Sequence, residues 1–515
     1  MQLDCSVLGK DVEISDTTIP VISPYWRLKQ NGDWTLLCKY EQDRSNYSML
    51  SPLMGATMAL MDGRLTYRHL CMIVQYAYDL QSLEQSQELV TKVIMAANKE
   101  SDAIVHMTPE LEPFIKKLDP IRFVTTLSKW KRQTRPAAPI SLNLMFSNDC
   151  ETSCAHCQAH RRYVPENELL PTQRWKEIFN EAKVLGIEQV TLSGGDPLFR
   201  KDALTLIAEL IKLEMLFSLS TKCYITEEIA ERLVEIGMTR PINQYVREIQ
   251  LSMDGPNEKI ADKLAGSPGH YSRAVESIGN LLSRGFNVRV KAVVTPLNTP
   301  HIYQWIKQLA EMGVTQIAMA AYNMTFHRHN DNLFLSRENR MSIAEQCERA
   351  LSEFPEIDLR ATGLESVEAS RSAPARENAA SSIVGEPGLV IEGDKDISEK
   401  IQCWKEISLK SGGRSMTITP DGKVVLCDTV PQDDIFFVGD VTHQTILEVW
   451  NSDTLLDFAY PLREQFKGSA CYDCQNLNEC QSKAGHCIRD SLFNLGAAFS
   501  PPPDCPMAQA SGLSM

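Results

Sequence analysis

Two periods of apolar and polar positions alternate along the chain, and the changes between them divide it into zones. In the first zone, PYWRLKQNGDWTLLCKY has the two-residue period of β-strands, with a turn signal at Asn31-Gly32. A helical period follows and is broken at Asp62-Gly63, which predicts two short helices. Their apolar positions are Leu53, Ala56, Leu60, Leu65, Leu70, Ile73 and Val74. The pattern predicts a small strand-plus-helix-turn-helix domain over residues 1–130, joined to the next zone by the proline-spaced residues 135–139.

Strand and helix periods alternate in the second zone, over residues 139–335. The helical segment TQRWKEIFNEAKVLG ends at Gly186, and the strand EQVTLSGGDP follows it. Three further pairs of strand and helix precede a last strand, TQIAMAA. Repeated βα units predict a parallel sheet with right-handed crossovers, closed or partly closed as a barrel. Loops at the carboxyl ends of the strands carry the chemistry of such a barrel.

Residues of chemical interest follow three of these strands. They are Cys150, Cys154 and Cys157 after ISLNLMF, residues 194–197 after the next strand, and Ser252 and Asp254 at the end of EIQLSMDG. One loop that supplies three thiolates suits a cubane iron–sulfur cluster with one iron left for a ligand that is not protein. Zinc is the alternative, but His156 lies inside the trio and no fourth ligand completes a usual finger spacing.

Composition limits the setting of these cysteines. The net charge of −14 argues against a general nucleic-acid binder, and we find neither a long apolar run nor a signal peptide, so we expect a cytoplasmic protein without a membrane span. Cysteines of such a chain are expected to be reduced, which favours metal binding or catalysis over disulfides. Ten of the fifteen cysteines fall in the trio or between Cys403 and Cys505, the third zone.

The trio resembles the signature of the radical S-adenosylmethionine (SAM) enzymes. Cys150-Glu-Thr-Ser-Cys154-Ala-His-Cys157 matches their Cys-x3-Cys-x2-Cys, and SGGDP stands where their Gly-Gly-Glu-Pro loop holds SAM. Asp196 replaces the usual glutamate, and His156 stands in a slot that usually holds an aromatic residue near adenine. The resemblance implies a partial (β/α)6 TIM-type barrel and a [4Fe-4S] cluster that cleaves SAM to a 5′-deoxyadenosyl radical. The SAM contacts that it implies are His156, Gly194, Gly195, Asp196, Ser220, Thr221, Ser252, Asp254 and Lys291.

The third zone, residues 401–515, resembles the SPASM extension, which holds two auxiliary [4Fe-4S] clusters in radical SAM enzymes that act on peptides and proteins. The resemblance assigns Cys471, Cys474, Cys480 and Cys505 to an outer cluster and Cys403, Cys427 and Cys487 to an inner one. Seven thiolates leave one position unfilled, and the gap between Cys480 and Cys487 is six residues rather than three. A pair of structural zinc ions is the alternative. Residues 336–400 are expected to be the barrel end and a flexible connection.

The first zone resembles the small winged-helix domain of pyrroloquinoline quinone biosynthesis (PqqD-like). The likeness rests on three strand-like pieces followed by Leu50-x-Pro52, Gly55, Leu60 and Asp62-Gly63. It implies that a leader peptide adds a strand to the edge of the sheet. A DNA-binding helix-turn-helix is the alternative, although the stretch is not strongly basic.

Together the three resemblances imply a maturase that abstracts hydrogen from a core residue of a ribosomally made peptide and forms a thioether or a carbon–carbon cross-link. The expected partners are the precursor peptide and an electron donor such as flavodoxin or ferredoxin, without nucleic acid or membrane. A peptide epimerase and a sulfatase-type formylglycine-generating oxidase are enzymatic alternatives. A non-catalytic iron–sulfur regulator that binds DNA is the alternative from another class.

Overall fold

The structure is a computed structural model of the 515-residue chain. It describes residues 6–10, 12–31, 34–39, 47–98, 102–123, 136–159, 162–187, 189–242, 246–364, 382–384, 415–459, 461–478, 480, 487–501 and 505. Cys403, most of the expected connection 336–400 and the tail beyond 505 lie outside these ranges. Among the described helices, none combines the length and the apolar character that a membrane span requires.

Sixteen strands and thirteen α-helices are numbered here along the described residues. The strands are β1 Pro20–Ile22, β2 Trp26–Asn31, β3 Trp34–Lys39, β4 Tyr47–Leu50, β5 Ile104–His106, β6 Ser141–Ser147, β7 Gln189–Gly194, β8 Leu216–Thr221, β9 Glu248–Ser252, β10 Asn287–Val294, β11 Gln316–Ala321, β12 Asp358–Thr362, β13 Ser382–Val384, β14 Ser415–Ile418, β15 Lys423–Val425 and β16 Gly439–Asp440. The helices are α1 Pro52–Ala59, α2 Tyr67–Ala77, α3 Leu83–Asn98, α4 Thr172–Val184, α5 Ala203–Lys212, α6 Glu227–Glu235, α7 Glu258–Ala265, α8 His270–Leu282, α9 Ile302–Glu311, α10 Arg337–Glu353, α11 Ile446–Trp450, α12 Asp453–Ala459 and α13 Ile488–Leu495.

The chain folds into two compact units. The first contains residues 1–138, 378–409 and 478–485, and the second contains residues 139–377, 410–477 and 486–515.

The first unit combines a small sheet with three helices. Strands β2, β3 and β4 form an antiparallel meander, and β13 pairs in parallel with the outer edge of β4. Ser51 and Thr66 cap α1 and α2 through their hydroxyls, on either side of the break that the sequence predicts at Asp62-Gly63. Apolar residues of β3 and β4, such as Leu37 and Leu50, share one buried core with the three helices.

The second unit is built on one ten-stranded sheet of order β12-β11-β10-β9-β8-β7-β6-β14-β15-β16. Strands β6 to β12 are all parallel, which confirms the predicted parallel α/β architecture. Helix α10 and strand β12 add one more unit of helix and strand to this architecture, within residues 336–400, which the sequence assigns to the barrel end and the connection. Strand β14, from the cysteine-rich third zone, pairs in parallel with β6 and joins that zone to the barrel sheet.

The two faces of this sheet differ in polarity. On β10, Val288, Val290 and Val294 belong to the buried core that the helices cover. Arg289 and Lys291 alternate with them and therefore lie on the opposite face. At the amino ends of the strands this second face contains a buried ion pair, in which Arg289 Nε donates to Glu248 Oε2 over 2.9 Å.

Candidate active site

The loop after β6 carries the three cysteines of the trio and brings two of their sulfurs close together. The hydroxyl of Thr152 lies 3.3 Å from Cys150 Sγ and 3.4 Å from Cys154 Sγ, so these two sulfurs lie beside the same atom. Cys154 is buried, while Cys150 and Cys157 are partly exposed. Burial raises the pKa of the Cys154 thiol.

Two neighbouring elements hold this loop. Ser153 N and Ala155 N donate to the carbonyl oxygens of Ala265 and Leu264 at the end of α7, each over 2.9 Å. From the loop after β11, Arg328 donates to Ser153 O over 2.5 Å, to Ser153 Oγ over 2.6 Å and to the carbonyl of Cys154 over 3.3 Å. The backbone of the trio is therefore fixed on both sides.

The glycine pair after β7 packs directly against the start of the cysteine loop. A Cβ at Gly194, whose φ is +122°, would lie 2.2 Å from Ser147 O. A Cβ at Gly195 would lie 2.1 Å from Asp149 O and 2.4 Å from Asn148 O. Only residues without a side chain allow this approach, so the two predicted motifs meet at the carboxyl ends of β6 and β7.

Asp196 is buried, and its carboxylate accepts hydrogen bonds from the end of β8, from the loop that follows it and from its own loop. The donors from β8 and its loop are Thr221 Oγ1 at 2.8 Å, Lys222 N at 2.6 Å and Cys223 N at 3.1 Å. Leu198 N, two residues after Asp196, donates over 3.1 Å. Burial raises the pKa of this carboxyl, and the hydrogen bonds oppose the effect. The geometry gives Asp196 and Thr221 a role in holding the loop after β8, and their contact with SAM stays a prediction.

Asp254 lies at the centre of a second buried group. Lys222 Nζ donates to its Oδ2 over 2.7 Å, His156 Nε2 lies 3.6 Å from the same oxygen, and Val293 N donates to Oδ1 over 2.9 Å. Burial opposes the charge of Asp254, but Lys222 and His156 outweigh it and hold the pKa of the carboxyl below its ordinary value. His156 therefore faces a carboxylate from within the trio, while its buried Nδ1 lacks a hydrogen-bond partner among the described residues.

The remaining predicted SAM contacts lie on neighbouring strands. Ser220 accepts a hydrogen bond from Gln250 over 2.9 Å, and the backbone oxygen of Ser252 lies 3.1 Å from His270 Nε2. Lys291 pairs in register with Ser252 on the adjacent strand. Whether these side chains touch SAM stays a prediction.

The cysteines of the third zone lie in several local settings. Cys427 follows β15, and its Sγ is 3.2 Å from Thr429 Oγ1, while Cys487 directly precedes α13. Cys471 and Cys474 lie in one turn. The carbonyl oxygen of Cys474 accepts a hydrogen bond from Arg463 over 2.9 Å. Cys505 belongs to the second unit, whereas Cys480 is exposed and belongs to the first. Among the described residues, no three histidine, cysteine or acidic side chains converge closely enough for a single metal ion.

Two family models match the chain at these places. The model described as the radical SAM superfamily matches residues 144–312, which include the trio, both glycines and Lys291. The model described as an iron–sulfur cluster-binding domain, SPASM, matches residues 410–475. The chain carries a radical SAM domain followed by a SPASM domain. SAM and a [4Fe-4S] cluster are therefore cofactors of the first, and auxiliary iron–sulfur clusters belong to the second.

Curated relatives match the chain at low identity. The chain is 22% identical over 373 residues to the PqqA peptide cyclase of Methylocella silvestris. The matched region covers 71% of this chain and 87% of that protein. It is 29% identical over 180 residues to the mycofactocin maturase MftC of Mycolicibacterium smegmatis, covering 35% and 43%. The crystal structure of Streptococcus suis SuiB bound to precursor peptide SuiA superimposes with a TM-score of 0.61 at 15% identity, covering 94% of this chain and 99% of that one. At this identity the superposition shows a shared fold.

The radical SAM site fits the cofactors that its family implies. It offers three thiols on one braced loop, a glycine pair packed against that loop and a buried imidazole nitrogen without a partner. Two further residues of this site had no sequence signal of their own: Lys222 and Arg328. In the third zone, Asp428 directly follows Cys427, and burial raises the pKa of its carboxyl.

Proposed function

We propose that this chain is a radical SAM maturase of a ribosomally made peptide, and that it joins two residues of the core peptide by a thioether or a carbon–carbon bond. The observation that carries the proposal is the meeting of the trio with Gly194 and Gly195 at the carboxyl ends of β6 and β7. When bound, the cluster and SAM supply the one-electron chemistry that activates a C–H bond. The names of the relatives, peptide cyclase and maturase, support a peptide as the substrate.

The chain's own residues would position these groups. Arg328 and the end of α7 fix the trio, and the glycine pair gives SAM a backbone surface without side chains. On the polar face of the sheet, Ser193 Oγ donates to Asn143 Oδ1 over 2.5 Å, which ties β7 to β6 beside the glycine pair.

The first unit is proposed to bind the leader of the precursor. Strand addition requires an edge with unpaired backbone groups. The edge of β4 is taken by β13, and the outer edge of β2 has no strand partner within the described ranges. A PqqD-like role for residues 1–130 is supported by this meandering sheet and its helices. An electron donor such as flavodoxin or ferredoxin is proposed as the second partner.

The decisive experiment is co-expression with the short open reading frame nearest the gene, followed by mass spectrometry of the peptide. A cross-link lowers its mass by two hydrogen atoms. An unchanged mass with one deuterium gained in heavy water would instead establish an epimerase. The matched control is Cys154→Ala, which should leave the peptide unmodified.

Two further experiments separate the other candidates. Deletion of residues 1–130 should abolish modification of the full precursor, whereas retained activity would favour the sulfatase-type oxidase. The anaerobically reconstituted chain should cleave SAM to 5′-deoxyadenosine. Failure of that cleavage, combined with sequence-specific DNA binding, would establish the regulator.

A further inference from the structure

A lysine with a largely buried side chain lies beside the cysteine loop of the radical SAM domain. The side chain of Lys222 is 13% exposed, and that of its partner Asp254 is 1% exposed. Lysine and aspartate are rarely buried, because removing both charges from water costs several kcal/mol per ion. The place of this pair, next to the loop that carries the trio, points to a role in the site.

Lys222 is held at both ends. Its backbone N–H donates to Asp196 Oδ2 over 2.6 Å, and its ammonium donates to Asp254 Oδ2 over 2.7 Å. Asp254 is itself fixed by Val293 N, and Asp196 by the donors of two loops. The ammonium group thus has little freedom to leave the site.

The geometry places this charge next to the cysteine loop. His156 lies between Cys154 and Cys157 in that loop, and its Nε2 is 3.6 Å from Asp254 Oδ2. The same oxygen accepts the hydrogen bond from Lys222 Nζ over 2.7 Å. The ammonium group and a side chain of the cysteine loop therefore meet at one carboxylate oxygen.

We propose that Lys222 is a positioning residue whose fixed positive charge raises the reduction potential of the cluster held by Cys150, Cys154 and Cys157. This inference rests on the proposed radical SAM function. One-electron reduction adds a negative charge to the cluster, and a nearby cation that water does not screen stabilises the reduced form. Asp254 holds the ammonium group in place, and its negative charge cancels part of the rise in the reduction potential.

The test is a redox titration of the full reconstituted chain, followed by electron paramagnetic resonance without SAM. The Cys154→Ala chain is expected to lack the cluster of the trio, so its resonance signal gives the contribution of the auxiliary clusters, which is subtracted. For Lys222→Met we expect the ratio of reduced to oxidised cluster at a fixed potential to fall about tenfold, which equals about 59 mV for a one-electron couple. Lys222→Arg should retain most of the wild-type potential. Lys212→Met, whose ammonium is on α5 with its side chain 74% exposed, is the matched control and should change nothing.

A second variant distinguishes an electrostatic effect from a loss of folding in Lys222→Met. Asp254→Asn keeps Lys222 and removes the opposing charge, so it should shift the potential in the positive direction. Iron content and circular dichroism show whether each chain is folded and loaded. A potential that moves by the same sign in both variants, or in neither, overturns the inference.

A measurement of SAM affinity distinguishes this role of Lys222 from a role in binding SAM. If Lys222 served only to bind the carboxylate of SAM, Lys222→Met would weaken SAM binding and leave the potential of the SAM-free cluster unchanged, which also overturns the inference. A wild-type chain without a SAM-responsive cluster would overturn the proposed function as well. The two failures are thus distinct.

Discussion

Two buried ion pairs lie on neighbouring strands of the same sheet, at its opposite ends. At the amino ends, Arg289 and Glu248 are both 2% exposed, and Arg289 also donates to Gln316 Oε1 over 2.6 Å. At the carboxyl ends, Lys222 and Asp254 lie beside the cysteine loop. The hydrogen bonds described for the first pair join strand residues, whereas the second pair lies next to the loop that carries the trio. We therefore expect the first pair to matter for stability and the second, as proposed, for the cluster.

The largest expected effect comes from breaking the pair at the amino ends. Arg289→Met leaves Glu248 as an uncompensated buried charge, so we expect the free energy of unfolding to fall by about 3–5 kcal/mol. Urea unfolding of the full chain measures it. Arg360→Met is the matched control, because Arg360 is 45% exposed and its pair with Asp358 should contribute about 1 kcal/mol or less. The comparison fails if Arg289→Met shifts the cluster potential and spares stability.

The next effect concerns the brace on the cysteine loop. Arg328→Met removes three hydrogen bonds to Ser153 and Cys154, and we expect a loss of about 1.5–3 kcal/mol together with less iron at the trio. Iron analysis and the SAM-responsive resonance signal measure the loading. Arg328→Lys should recover part of it, because lysine keeps the charge but not the planar fork. Full loading of Arg328→Met would show that α7 alone holds the loop.

A smaller effect tests the contact between the two motifs. The methyl group of Gly195→Ala would overlap Asp149 O and Asn148 O, so we expect a loss of about 1–3 kcal/mol and weaker SAM binding. Gly279→Ala is the matched control: nothing lies within 4 Å of its added methyl, and it should stabilise α8 by about 0.5–1 kcal/mol. Equal responses of the two variants would contradict the close packing.

The smallest effect is expected at His156. Its Nε2 lies 3.6 Å from Asp254 Oδ2, so we expect His156→Phe to retain the iron of the trio and to change stability by less than about 1.5 kcal/mol. Iron content per chain and urea unfolding provide the measurement. Loss of the cluster in this variant would indicate that His156 is an iron ligand and would contradict its assignment to the group around Asp254.

Local patterns were sufficient for much of this molecule. The strands β6 to β11 follow from alternating periods, and the trio and the glycine pair follow from short motifs whose spacing is fixed by chemistry. The contact between Lys222 and Asp254 depends on two loops 32 residues apart, and a lysine in LSTKC has no pattern that signals burial. Likewise β14 lies in a zone marked by cysteines, and no local period indicates that it pairs with β6.

The pairing of β14 with β6 has a consequence for assembly. Ser141–Leu144 of β6 meets Ser415–Ile418, so roughly 270 residues separate the partners in the chain. At the usual speed of synthesis, the ribosome needs about 15–55 s to make the intervening segment. During this time the edge of β6 that β14 covers in the folded chain is without that partner. The barrel sheet can therefore be completed only after residues 415–418 have been made.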